Sequence, residues 1–172
     1  KGDLFDPRDL DRALKGMDAV HLNLDKMDEA KATEIITVAA LQKQIKLIST
    51  ITGSTVCGEK SWSPRIDMKF RAEQVLVHSG IPYLIFRPSW FFESLEMMIR
   101  KGKATLIGKH PKPFHWVAGD DYGRMVAEAY NKAEVHGKIF RVLGPKTYRI
   151  DELMRTYVSR KHPEIKKVST IS

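Results

Sequence analysis

The feature that most limits how this chain can fold is its alternation. Short runs rich in β-branched and apolar residues recur between segments of helical periodicity. "DAVHLNL" (18–24), "IKLISTI" (45–51), "IPYLIF" (81–86) and "KIFRVLG" (138–144) read as strands. The stretches between the first three, "DEAKATEIITVAALQKQ" (28–44) and "SPRIDMKFRAEQVLVHSG" (63–80), read as helices. Strands spaced by helices of that length call for crossover connections and a parallel sheet. Runs such as "YLIF" do not alternate polar with apolar, as expected of strands covered on both faces. The fold class is therefore α/β.

Local signals place the boundaries. Asp6 and Pro7 cap and start a helix "DPRDLDRALKG" that Gly16 stops, and Ser63 and Pro64 open another that Gly80 ends. Ile35, Ile36, Ala39 and Ala40 fall on one face of the intervening helix. Further along, "WFFESLEMMIRKG" reads as a helix, "KATLIG" as strand-like, and "DDYGRMVAEAYNKA" and "IDELMRTYVSRK" as helices. The 172 residues suit one domain, 1–172, in which 90–172 holds the C-terminal elements. No repeat or linker interrupts it. No glycine turn of the G-x-G-x-x-G type occurs, so the usual phosphate cradle of a dinucleotide site is not in this sequence.

Composition narrows the setting. No apolar run reaches the ~18 residues that span a bilayer, and a single cysteine, Cys57, excludes an internal disulfide framework. The expectation is a cytoplasmic protein with no membrane partner. The net charge of +8 is scattered, densest in the tail "SRKHPEIKKV". Nucleic-acid binding would gather such charge on one face with interleaved aromatics, so a solvated basic surface is the better reading. Attraction to a phosphorylated small molecule is the second. His110 and His115 in "GKHPKPFHWV" have no third ligand nearby, and no metal is expected.

Four stretches in order resemble one family. "GDLFDPRDLDRALKGMDAVHL" resembles the passage from the third to the fourth strand of atypical and extended short-chain dehydrogenases, most closely the NmrA-like group. "KLISTITGS" resembles their fifth strand, "MKFRAEQVLVHSGIPYLIFRPSWFFES" their lysine helix, sixth strand and Arg-Pro loop, and "HWVAGDDYGRMVAEAYNK…GKIFRVLGPKTYRIDEL" their C-terminal segment. The resemblance implies a Rossmann-like domain binding NAD or NADP at the carboxyl ends of its strands. It also implies that the sequence opens at the family's third strand. Strand 1 lies beside strand 4 in that fold, so "DAVHLNL" would otherwise be an exposed apolar edge. The expectation is an N-terminally truncated domain, a piece of a longer chain.

The same resemblance names candidate residues. Asp3 and the Leu4 amide match the adenine contact, although Asp3 equally suits a turn before a capped helix. Asn23 and Leu24 lie where the family's chain passes the riboses, with Asp25 just beyond; Leu22 reads as core, and His21 as pointing to the opposite face. Among Ser49, Thr50 and Thr52 one hydroxyl is expected to serve the substrate oxygen, and Ser49 and Thr50 are taken with Lys69 as the candidate catalytic groups. Arg87, Pro88 and Ser89 match the loop that passes the nicotinamide, with structural ion pairing the preferred reading for Arg87 over a direct ligand role. Trp90, Phe91 and Phe92 suit either a pocket wall or helix packing.

Lys69 is the central residue. In short-chain dehydrogenases Tyr-x-x-x-Lys sets both groups on one helical face; the lysine holds the nicotinamide ribose and lowers the tyrosine's pKa. Here Arg65 stands at the tyrosine position, and a guanidinium cannot exchange a proton. Tyr83 and Tyr122 lack the spacing to replace it. The reading is an NAD(P)H-dependent reductase of a small carbonyl or quinone-type acceptor. The alternatives are a non-catalytic dinucleotide sensor, with a protein partner or as a homodimer, and a nucleotide-sugar epimerase or dehydratase. Positive charge favours NADP over NAD.

Overall fold

The computed structural model describes residues 2–24, 28–58 and 63–171. Two compact units form, one from Lys1–Pro88 with Met125–Arg141 and one from Ser89–Arg124 with Val142–Ser172.

In the first unit the chain runs through α1 (Pro7–Leu14), β1 (Ala19–Leu22), α2 (Glu29–Gln42), β2 (Leu47–Ile51), α3 (Pro64–Val77) and β3 (Tyr83–Pro88). After α4 (Gly119–Tyr130) and β8 (Lys138–Val142), the sheet order is β1-β2-β3-β8. β1 pairs parallel with β2, His21 beside Ser49 and Leu22 beside Thr50, and β2 pairs parallel with β3, Ser49 beside Leu84. This is the α/β arrangement with a parallel sheet expected from the alternation, and the Rossmann-like form that the family resemblance implies; the crossovers α2 and α3 keep its strands parallel.

The cap of α1 acts as the local sequence predicts, whereas Ser63 precedes α3 without a side-chain capping hydrogen bond. The Asp6 carboxylate accepts from the Arg8 N–H and Pro7 sits at the first turn of α1; Asp28 accepts from the Lys31 N–H at the start of α2. Gly16 and Gly80 take φ of +73° and +78°, a region that only glycine enters freely. Burial then selects the faces. Leu22, Ile48 and Ile85 of the sheet pack with Ile36 and Ala40 of α2 and Leu76 of α3. Because strand side chains alternate, His21, Ser49, Leu84 and Phe86 project to the other face. There Phe86 stacks on Phe140 at 5.7 Å and Tyr130 reaches Ser49. Strand β2 is buried on both faces, which explains its unbroken apolar character.

The second unit departs from the sequence reading. "WFFESLEMMIRKG" is not one α-helix but β4 (Trp90–Phe91), a 3-10 helix over Phe92–Met98, and β5 (Ile99–Arg100). Trp90 and Phe91 are drawn into pairing with β7 (Phe114–Val117), and a turn at Lys101 and Gly102, both with positive φ, folds β5 back on β6 (Lys103–Ile107). Strand pairing over so short a stretch overrides helical periodicity. β9 (Thr147–Tyr148) joins β7, and after α5 (Ile150–Lys161) the basic tail supplies β10 (Val168–Ile171) beside β6. Leu95, Leu106, Trp116, Met154 and Val158 form this unit's core. Among the described residues no helix is long and apolar enough to cross a membrane.

Candidate functional site

In a parallel sheet the helix after each strand begins at the carboxyl edge, where open α/β folds bind ligands. Glu29 opens α2 after β1, and Lys69 lies in the second turn of α3 after β2. They meet. The Lys69 ammonium donates to Glu29 Oε1 at 2.8 Å and to Oε2 at 3.0 Å. Both side chains are largely enclosed, Lys69 at 14% exposure and Glu29 at 5%. The first turn of a helix favours a carboxylate, so Glu29 is well placed to hold the cation. An ammonium has three donors, and Glu29 engages two of them.

The partner of Lys69 is thus a carboxylate from α2, where the family pattern would put a phenol on α3. Sequence reasoning missed Glu29. An acidic residue just after an N-cap ordinarily reads as dipole compensation, and nothing in the spacing of positions 29 and 69 announces a contact.

The hydroxyls separate. Ser49 is fully buried on the face away from α2 and α3; its Oγ lies 2.6 Å from His21 Nδ1 and 2.5 Å from the Tyr130 hydroxyl. Tyr130 in turn donates to the Val20 carbonyl at 3.3 Å. Burial holds the Tyr130 phenol above its usual pKa, with the Ser49 bond partly offsetting it, and desolvation pushes the His21 imidazole down. Tyr130 therefore stays protonated, unlike a phenol primed for proton exchange. Its place in the network had no sequence signal, because it lies 81 residues from Ser49. Thr50 donates to the Leu22 carbonyl at 3.4 Å, and Thr52 donates to Glu73 at 2.6 Å. None of these hydroxyls has Lys69 as its partner.

Arg87 is tied to Glu73 of α3 by two hydrogen bonds, Nε to Oε1 at 3.0 Å and Nη2 to Oε2 at 2.5 Å. The pairing raises the guanidinium's pKa further. Pro88 is buried, and its carbonyl accepts from the Ser54 N–H at 2.8 Å. Ser89, in the second unit, donates its N–H to the Val142 carbonyl at 2.9 Å, and its Oγ is buried with no hydrogen-bond partner among the described residues. At the other end, the Asp3 carboxylate accepts from the Phe5 N–H at 2.9 Å, a turn built by Asp3 itself. Leu4 and Leu24 pack against the first unit's core, while Asn23 is exposed at the end of β1. Asp25 falls outside the described residues. Phe92 and Phe114 stack on Trp116 and Trp90 meets it at a tilt within the second unit, and His115 donates to the Gly144 carbonyl at 2.6 Å.

The carboxyl edge of the first unit thus combines an ammonium with a donor beyond its ion pair and an exposed amide, Asn23. Both are groups that hydrogen-bond sugar hydroxyls, so these residues fit a nucleotide ribose. A family model described as NAD(P)H-binding matches residues 1–132. The chain belongs to this NAD(P)H-binding family. Its cofactor is accordingly NAD or NADP. Prestalk A differentiation protein A of Dictyostelium discoideum is 25% identical over 157 residues, covering 88% of this chain and 50% of that protein. The chain spans half the length of that relative. Among solved structures, the NADPH-dependent quinone oxidoreductase of Escherichia coli, complexed with NADPH, is 19% identical with a TM-score of 0.77; the match covers 100% of this chain and 61% of that one. The Citrobacter triphenylmethane reductase complexed with NADP(H) is 16% identical with a TM-score of 0.74, covering 99% of this chain and 62% of that one. A nucleoside-diphosphate-sugar epimerase of Staphylococcus aureus is 20% identical with a TM-score of 0.72, covering 99% and 62%. At these identities the structural likeness is one of fold.

Proposed function

We propose that the chain belongs to an NAD(P)H-dependent reductase of NmrA-like type, cytoplasmic, acting on a small carbonyl or quinone-type acceptor. The observation that carries the reading is the enclosed Lys69 at the carboxyl edge of the parallel sheet, in a chain that belongs to an NAD(P)H-binding family. The cofactor, when bound, supplies hydride chemistry. Lys69 would hold the nicotinamide ribose through the donor that Glu29 does not engage, and Asn23 would add a second polar contact at the strand end. Arg65 cannot move a proton, so protonation of the acceptor falls to water. Reductases and sugar epimerases both occur among the similar folds; what favours a reductase is Arg65 at the tyrosine position, because an epimerase needs an acid–base group at the sugar. The basic net charge supports NADPH over NADH.

The test is to titrate NADPH and NADH against the protein and then add a panel of quinones. Steady cofactor oxidation that Lys69→Ala reduces, with weaker cofactor binding, supports the reading. Undiminished affinity and turnover in Lys69→Ala defeats it. The second reading, a dinucleotide sensor, is favoured by one observation: Lys69 is paired to a carboxylate rather than to a group able to donate a proton. Tight NADPH binding without oxidation by any acceptor would select it.

A further inference from the structure

Resting on the reading of Lys69 as a ribose-holding residue, we infer that Glu29 is a positioning residue for the nicotinamide-ribose half of the cofactor. It acts by fixing the Lys69 ammonium so that the remaining N–H serves the ribose hydroxyls. Lysine carries a flexible four-carbon stem, and its head finds no single orientation unaided. Here both carboxylate oxygens of Glu29 take a donor from Nζ, at 2.8 and 3.0 Å, which fixes the nitrogen's position. Glu29 is itself held: its backbone lies in the first turn of α2, directly after the Asp28 cap, and its side chain is 5% exposed. At that exposure it has little surface to meet a ligand directly. Lys69 keeps 14%.

Other carboxylates of these helices have their own partners: on α3 Asp67 pairs with Arg71 and Glu73 with Arg87, and Asp28, the N-cap of α2, accepts from the Lys31 N–H. Glu29 thereby organises the lysine without supplying the proton that the missing tyrosine would exchange.

The experiment compares wild type with Glu29→Gln, and with a Glu29→Met/Lys69→Met double variant that removes both charges together. Removing a buried pair as a unit is tolerated far better than removing one partner, so the double variant keeps the fold measurable. Binding of NADPH and of 2′,5′-ADP, which lacks the nicotinamide ribose, is followed by NADPH fluorescence and its displacement. The expected result is NADPH affinity weakened about 10-fold in Glu29→Gln, worth about 1.4 kcal/mol, with 2′,5′-ADP unchanged. The double variant should unfold at a temperature near wild type yet bind NADPH no better than Lys69→Met alone. Equal NADPH affinity in wild type and Glu29→Gln overturns the inference and leaves the reductase reading intact. Parallel weakening of both ligands also overturns it, because that marks a general structural role. A wild-type protein that binds neither NADPH nor NADH overturns both.

Discussion

Arg87 and Glu73 form a two-pronged ion pair inside the first unit, with Glu73 fully buried and Thr52 donating to the same carboxylate. The pair ties the end of β3 to the middle of α3, and through Thr52 to the end of β2. Three elements of the carboxyl edge are thereby locked in register by one carboxylate. Glu73 has no water to fall back on, so its stability rests on these partners.

Removing Arg87 alone should therefore be costly. Arg87→Met leaves a buried carboxylate without its counter-ion, and unfolding in urea should show a loss of about 3–5 kcal/mol. Glu73→Leu/Arg87→Met together should recover much of it. A loss below about 1 kcal/mol for the single change would mean that the arginine is free to serve a ligand, the role that the family resemblance offers it.

Gly144 carries a steric prediction. A Cβ added there would stand 1.6 Å from the Trp116 carbonyl oxygen, closer than any non-bonded contact permits, and the opposing atom is backbone that cannot swing aside. The approach is enforced from the neighbouring side, since the Gly144 carbonyl accepts from His115 Nδ1–H. Gly144→Ala should destabilise by at least about 1–3 kcal/mol, the usual cost of overpacking. An unchanged denaturation midpoint would refute the tight approach of these two segments.

Much of this was legible before the structure, and the reason differs by region. The first unit's strands and helices follow from alternation and capping, because helices of 14 residues separate its strands; Asp6, Pro7 and Gly16 bound α1 where expected. The second unit's strands, three of them only two residues long, are not spaced by such helices. Their pairing is decided by distant partners, as when Trp90 meets Trp116. The same limit governs the site. Lys69 could be singled out because its surroundings in sequence match a pattern. Glu29, Glu73 and Tyr130 could not, because their meaning lies in contacts across 40, 14 and 81 residues.

His21 should titrate low. Desolvation beside Ser49 lowers its imidazole pKa, so the folded state resists a proton that the unfolded chain accepts near its ordinary value of about 6.5. Between the two values the unfolded chain binds more protons, and stability rises with pH. The contribution is fully present above about 6.5 and is lost as pH falls from there through the folded value. Proton NMR of the imidazole should give a midpoint below that of a histidine peptide. A midpoint at or above it would contradict the desolvation of the imidazole beside Ser49.

His162 should behave in the opposite sense. Its Nε2 lies 2.9 Å from Glu96, which also accepts from the Tyr157 hydroxyl at 2.6 Å, and the Glu96 contact raises the imidazole's pKa. The folded state now holds the proton longer than the unfolded chain does. Stabilisation from this cluster is complete below about 6.5 and disappears as pH rises through the folded value. Because His21 and His162 act with opposite signs over neighbouring pH ranges, the stability of the whole chain conceals both. Comparing wild type with His162→Gln isolates one. The variant should lose stability relative to wild type at pH 5.5–6, roughly one unit below the ordinary histidine value, and close the gap by about pH 8. A gap that widens with rising pH would show that neutral His162, not its protonated form, makes the favourable contact with Glu96.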